Sequence, residues 1–179
     1  MKAALRLLPV ALLGVLVAGC GDSRGHKEAY CPGSVVLADA SRQPMFPQGA
    51  SADPANIVYT MEIVGVEGSC DYDKKGRDAD ASVEVHFRAT RAPTGEAAVY
   101  NVPYFVAVTQ ADRIINKQFF KVQIAFAPGA SVAEATDTVP DTHIHTEQDK
   151  KPYDYQLVVG LPLTKQQLDY NRTSGRYVQ

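Results

Sequence analysis

Val83-Glu84-Val85-His86-Phe87-Arg88-Ala89 alternates apolar residues with charged or polar ones at a strict period of two. Successive side chains of a strand point to opposite faces, so this stretch predicts a strand with Val83, Val85, Phe87 and Ala89 in a core and Glu84, His86 and Arg88 in water. The same alternation recurs on either side. Ile57, Tyr59, Met61 and Ile63 alternate with Val58, Thr60 and Glu62, and Tyr155, Leu157 and Val159 alternate with Asp154, Gln156 and Val158. Between them, residues 103–109 and 119–126 flank Gln110-Ala111-Asp112-Arg113 and place Phe120, Val122, Ile124 and Phe126 on one side, the pattern of a long hairpin.

Residues 35–38 supply a short strand and residues 131–138 a weaker one rich in Ala and Thr. About seven such strands, separated by turns bearing Pro and Gly, predict a mainly β fold: an antiparallel β-sandwich of the immunoglobulin or fibronectin type, with a partly closed barrel as the alternative. The chain has no Trp, so the expectation rests on strand number and spacing. One segment departs from the period of two. Leu163-Thr164-Lys165-Gln166-Gln167-Leu168 carries Thr164 as an N-cap with Gln167 three residues on, a capping box, and predicts a short helix from Lys165 to about Asn171.

The chain has 179 residues, a net charge of -2, 45% hydrophobic and 21% charged residues. That balance excludes a nucleic-acid binder driven by phosphate attraction, a disordered chain and a disulfide-dense miniprotein. Lys2 and Arg6 precede an apolar run from Leu7 to Ala18. The run is shorter than the roughly 18 residues needed to span a bilayer and matches the apolar core of a signal peptide.

Val17-Ala18-Gly19-Cys20 closes that leader and resembles the lipobox of bacterial lipoproteins. The resemblance implies cleavage before Cys20, a thioether-linked diacylglycerol and an N-acyl chain on that residue, and an outer-membrane anchor facing the periplasm, because Gly21 rather than Asp follows it. The whole chain is similar to proteobacterial envelope lipoproteins. Two or more acyl chains give stable attachment where one binds reversibly. The expected organisation is a signal peptide at 1–19, the lipidated cysteine and a tether at 20–29 without large apolar residues, and a single periplasmic domain at 30–179. Cleavage removes Lys2 and Arg6 and no acid, which takes the net charge from -2 to -4 and argues against docking to anionic lipid by charge.

With Cys20 assigned to lipid, Cys31 and Cys70 remain. In an oxidising compartment they are expected to form one disulfide; two free buried thiols are the alternative.

His143 and His145 in Asp141-Thr142-His143-Ile144-His145 would project to one side of an extended chain, as a bidentate metal pair requires. No third ligand has enforced spacing, and the surrounding residues read as a polar connection. Asp71, Asp73, Asp78 and Asp80 surround Lys74, Lys75 and Arg77, which reads as a solvated mixed-charge loop rather than a calcium loop. No Gly-X-Ser-X-Gly elbow stands at a strand-to-helix turn, the spacing at Gly21-Asp22-Ser23-Arg24-Gly25 falling in the tether, and a phosphate-cradling Gly loop and His-Glu-X-X-His do not occur. Tyr153, Tyr155, Tyr170 and Tyr177 cluster toward the C-terminus, as interface residues or as rings plugging the domain's ends. The expected function is therefore that of a non-enzymatic envelope lipoprotein without a cofactor, binding a protein partner in the periplasm. A ligand- or metal-binding lipoprotein is the alternative, and a hydrolase with a triad assembled in space a third reading.

Overall fold

The computed structural model describes residues 31–73, 77–93 and 96–174. The leader, Cys20, His26 and the tether lie outside the described residues, as does Tyr177. Eight strands and one helix follow in order: β1 Gly33–Val36, β2 Arg42–Met45, β3 Tyr59–Tyr72, β4 Asp78–Thr90, β5 Ala98–Gln110, β6 Arg113–Phe126, β7 Val132–His145, β8 Tyr155–Gly160 and α1 Lys165–Ser174. They form two four-stranded sheets. The first has the order β1-β8-β5-β6 and the second β2-β3-β4-β7.

The period of two decides which face of each strand is buried. On β4, Ala81, Val83, Val85, Phe87 and Ala89 are buried and meet Val102, Tyr104, Val106 and Val108 of β5, Val122, Ile124 and Phe126 of β6, and Leu157 and Val159 of β8 in one core. Each fully buried Val, Leu or Phe side chain contributes about 1.5–3 kcal/mol, so this seam between the sheets is the main source of stability. The hairpin from β5 to β6 turns at Ala111 and Asp112, with Ala111 at a φ of 48°.

Several expectations are corrected. The described residues form eight strands rather than about seven, because β2 (Arg-Gln-Pro-Met) is short, carries Pro44 and shows no alternation. Pairing is not antiparallel throughout: β1 runs parallel to β8, with Val35 opposite Val158. The polar segment at His143 and His145 is not a connection, since β7 continues through Pro140 to His145. A register shift between Ala81 and Val83 and Asp141 at a φ of 54° mark a bulge there, and Pro140 is tolerated because β7 is the outer strand of its sheet. Likewise Asp71, Asp78 and Asp80 lie in strands, with Asp71 opposite Asp80, while residues 74–76 are outside the described part.

Cys31 and Cys70 form a disulfide with their Cα atoms 5.6 Å apart. It holds the start of β1 against the far end of β3. Gly68 makes the approach possible, since a Cβ at that position would lie 2.1 Å from Ser34 Oγ.

The helix forms where the capping box predicts it. Gln167 Oε1 accepts from the Thr164 amide at 2.9 Å, and the Gln167 amide donates to Thr164 Oγ1 at 3.2 Å. Its buried amides then bond to the edge strand. Gln167 Nε2 donates to the Pro44 carbonyl and Asn171 Nδ2 to the Arg42 carbonyl, at 2.8 and 2.7 Å. Side chains of α1 thus stand in for a missing neighbour of β2, one way of covering an exposed sheet edge. No helix among the described residues is long and apolar enough to cross a membrane.

Candidate interaction faces

The two sheets turn chemically different faces to solvent. Outward positions of the second sheet include Glu62 and Glu67 on β3, Asp78, Asp80 and Glu84 on β4, and Glu134 on β7, joined by Arg88 and three histidines. Outward positions of the first sheet include Lys117 and Lys121 but, among the described residues, no acid.

Much of that first face is apolar. Ile114 is 66% exposed, Phe119 63% and Val99 57%, with Ile115, Leu37 and Val35 also open to water. At its centre Phe105 faces outward yet is only 6% exposed. It lies against Gly160, where a Cβ would come within 2.6 Å of the ring. Lys117 Nζ sits 3.7 Å above its centroid, and the Phe119 ring lies 6.2 Å away. The two rings meet edge-on at 65° and the lysine stem covers Phe105, leaving Phe119 as the open ring beside a cation. Ile114, Ile115 and Phe119 share the exposed half of β6, and clustered apolar residues mark an interaction site where scattered single ones are ordinary.

The edges differ as well. β2 is covered by α1, β1 has only four residues, and β7 carries a bulge and Pro140. β6 has fourteen residues, terminates its sheet, and its first seven side chains, from Arg113 to Phe119, are all exposed. A long edge strand with apolar flanks is a template for pairing with another extended chain.

His143 and His145 do project to one side of β7, and each meets an aspartate across the ladder. His143 Nδ1 is 2.7 Å from Asp80 Oδ1 and His145 Nδ1 is 2.5 Å from Asp78 Oδ1. The Asp80 hydrogen bond holds the His143 imidazole above its ordinary pKa, with the charges of Asp80 and Asp78 adding to the effect and slight desolvation opposing it. The two histidines thus serve as cross-strand hydrogen-bond partners of the aspartates, an arrangement hidden in the sequence because Asp78 and Asp80 lie more than sixty residues away. Three potential ligands do come together elsewhere on the same face: Glu67, Glu84 and His86, whose donor atoms lie within 4.8 Å of one another.

Of the C-terminal tyrosines, Tyr155 is buried and its hydroxyl accepts from the Glu147 amide at 2.9 Å. Tyr170 packs edge-on against Phe46, and Tyr153 is exposed. The tyrosine that matters most inside was not singled out by sequence. Tyr104, fully buried on β5, donates to Asp137 Oδ2 on β7 at 2.8 Å, a hydrogen bond that crosses the core from one sheet to the other. Burial first, and then the Asp137 carboxylate, raise its pKa far above the usual phenolic value.

Neither a protein-family model, nor a curated protein, nor a solved structure matches this chain.

Proposed function

We propose that the protein is a lipid-anchored envelope lipoprotein whose periplasmic domain, an antiparallel-rich β-sandwich of the immunoglobulin or fibronectin type, is a non-enzymatic module that binds another protein through the first sheet. The observation that carries this reading is the outer face of that sheet, with Val99, Ile114 and Phe119 more than half exposed beside an open edge strand. The partner is an extended segment carrying apolar side chains for Ile114 and Phe119 and carboxylates for Lys117 and Lys121, added alongside β6 by main-chain hydrogen bonds.

The tether supports the same arrangement. It leads into β1, at the opposite edge of the sheet from β6. With neighbouring strands about 4.8 Å apart, three spacings put β6 about 14 Å beyond the anchored edge. A partner added alongside β6 therefore lies at the edge of the sheet away from the strand into which the tether runs.

The test is replacement of Ile114 and Phe119 together by lysine. Partner capture in the envelope is expected to disappear while the thermal transition stays in place, because both side chains already face water. Undiminished capture by the double variant would overturn the docking face. Capture of a second copy of this chain instead of another protein would replace the hetero-partner with self-association.

A further inference from the structure

On the second sheet, remote from the docking face, His86 and Glu84 stand two residues apart on β4 and so point to the same side. Glu67 on β3 is directly opposite Glu84. His86 Nε2 lies 3.4 Å from Glu84 Oε1 and 3.6 Å from Glu67 Oε1. The other ring nitrogen, Nδ1, lies 3.2 Å from Thr136 Oγ1 on β7, the residue paired with His86 across the ladder. Gly65 is the partner of His86 on β3, where a Cβ would meet the ring at 3.4 Å. The imidazole thus lies over β3 in van der Waals reach of Gly65, on the side of Glu67.

The two distances from His86 Nε2 fit neighbouring corners of a coordination polyhedron, and all three donor atoms lie within 4.8 Å of one another. Zinc bonds to imidazole nitrogen and carboxylate oxygen at about 2.0–2.2 Å, which in a tetrahedron sets neighbouring ligand atoms about 3.4 Å apart. An octahedral ion with bonds of about 2.0–2.1 Å would set them about 2.9 Å apart. One imidazole with two carboxylates is also a donor set for a first-row divalent ion rather than for calcium or magnesium, which take oxygen ligands alone.

We propose that Glu67, Glu84 and His86 bind a zinc ion on one face of a tetrahedron, with the fourth position open to solvent. Thr136 is the positioning residue. With Nδ1–H donating to Thr136 Oγ1, the lone pair of Nε2 is directed between the two carboxylates, the role that an outer hydrogen-bond partner plays for metal-bound histidines. The site does not depend on the docking face.

The experiment is calorimetric titration of the full chain, purified in detergent and stripped with a chelator, with zinc chloride, alongside imidazole nitrogen NMR. One zinc per chain is expected, with the His86 Nε2 resonance shifting and those of His143 and His145 staying in place. His86→Ala and Glu84→Gln should each weaken binding more than tenfold, and Thr136→Val about tenfold or more, as loss of an outer-shell partner does. A His143→Gln/His145→Gln double variant should bind as the parent does. Zinc that leaves the His86 resonance unmoved, or affinity unchanged in Glu84→Gln, would overturn the assignment. The wild-type spectrum decides even if His86→Ala fails to fold. His86 and the two glutamates acting only as ion pairs would give no zinc uptake at all.

Discussion

Tyr104→Phe deletes one oxygen from the centre of the fold. In the wild type that oxygen donates to Asp137 Oδ2 at 2.8 Å across the two sheets, and the Tyr104 ring packs edge-on against Phe87 at 5.0 Å. Phenylalanine keeps the ring contacts and strands a half-buried carboxylate. Hydrogen bonds to charged groups contribute roughly 1.5–3 kcal/mol net, so the expected loss is about 2 kcal/mol. For a domain of this size that is about 4–8 °C in Tm. Urea denaturation followed by far-UV circular dichroism measures it.

Asp137→Asn supplies the partner variant: with the carboxylate neutralised, the additional loss caused by Tyr104→Phe should shrink, giving a positive coupling in a double-mutant cycle. The pH dependence follows from the raised Tyr104 pKa, caused by burial and by Asp137. A folded-state pKa above the unfolded one means that the contribution is fully present below the ordinary phenolic value of about 10 and is lost as pH rises beyond it. Wild-type stability should therefore fall in alkali, and the fall should be shallower in Tyr104→Phe, with Tyr59, raised by burial beside Tyr100, supplying the remainder. A loss below about 0.5 kcal/mol at neutral pH, the size of an ordinary surface substitution, or an alkaline decline identical to wild type, would refute the reasoning.

Reducing the Cys31–Cys70 bond, which closes a separation of 39 residues, should cost about 4 kcal/mol by loop entropy; urea midpoints with and without reductant measure it, and no shift would contradict it. Gly160→Ala drives a methyl into the Phe105 ring and should destabilise by about 1–3 kcal/mol, seen as a lowered Tm. The His143 imidazole should titrate above its usual midpoint in an NMR pH series, and Asp80→Asn should bring it back down; equal midpoints would show that the pair does not form in solution. Cys20→Ser should abolish palmitate labelling and release the protein from membranes, and retention of both would remove the lipid anchor.

Strands whose two faces differ in polarity were legible from their residues alone. β4 and the second half of β6, from Phe120 to Phe126, alternate cleanly, and the Thr164–Gln167 cap marks the helix start. β3 was traced only to Ile63, because a register shift between Ile63 and Gly65 interrupts the period and the continuation, Glu-Gly-Ser-Cys-Asp-Tyr, is mostly polar and exposed. The last part of β7 was hidden in the same way by Pro140 and Asp141, a bulge that local pattern reads as a break. The parallel pairing of β1 with β8 depends on partners more than a hundred residues apart, which no local period reports. The candidate faces were less legible still. Phe105 lies in an apolar run, and only the register shows that it faces outward. His86 was assigned correctly to the wet face, but its two carboxylate neighbours become visible only once β3 and β4 are aligned.

The claim that the outer face of the first sheet binds a protein partner is tested most directly by placing a photo-cross-linking amino acid at Phe119, and in parallel at Thr138 on the outer face of the second sheet, in cells producing the full chain. The account predicts a discrete adduct at Phe119, whose cross-linked peptide is an acid-bearing extended segment of another protein, and none at Thr138. An adduct at Thr138 alone, or no reproducible adduct at either position, would contradict it.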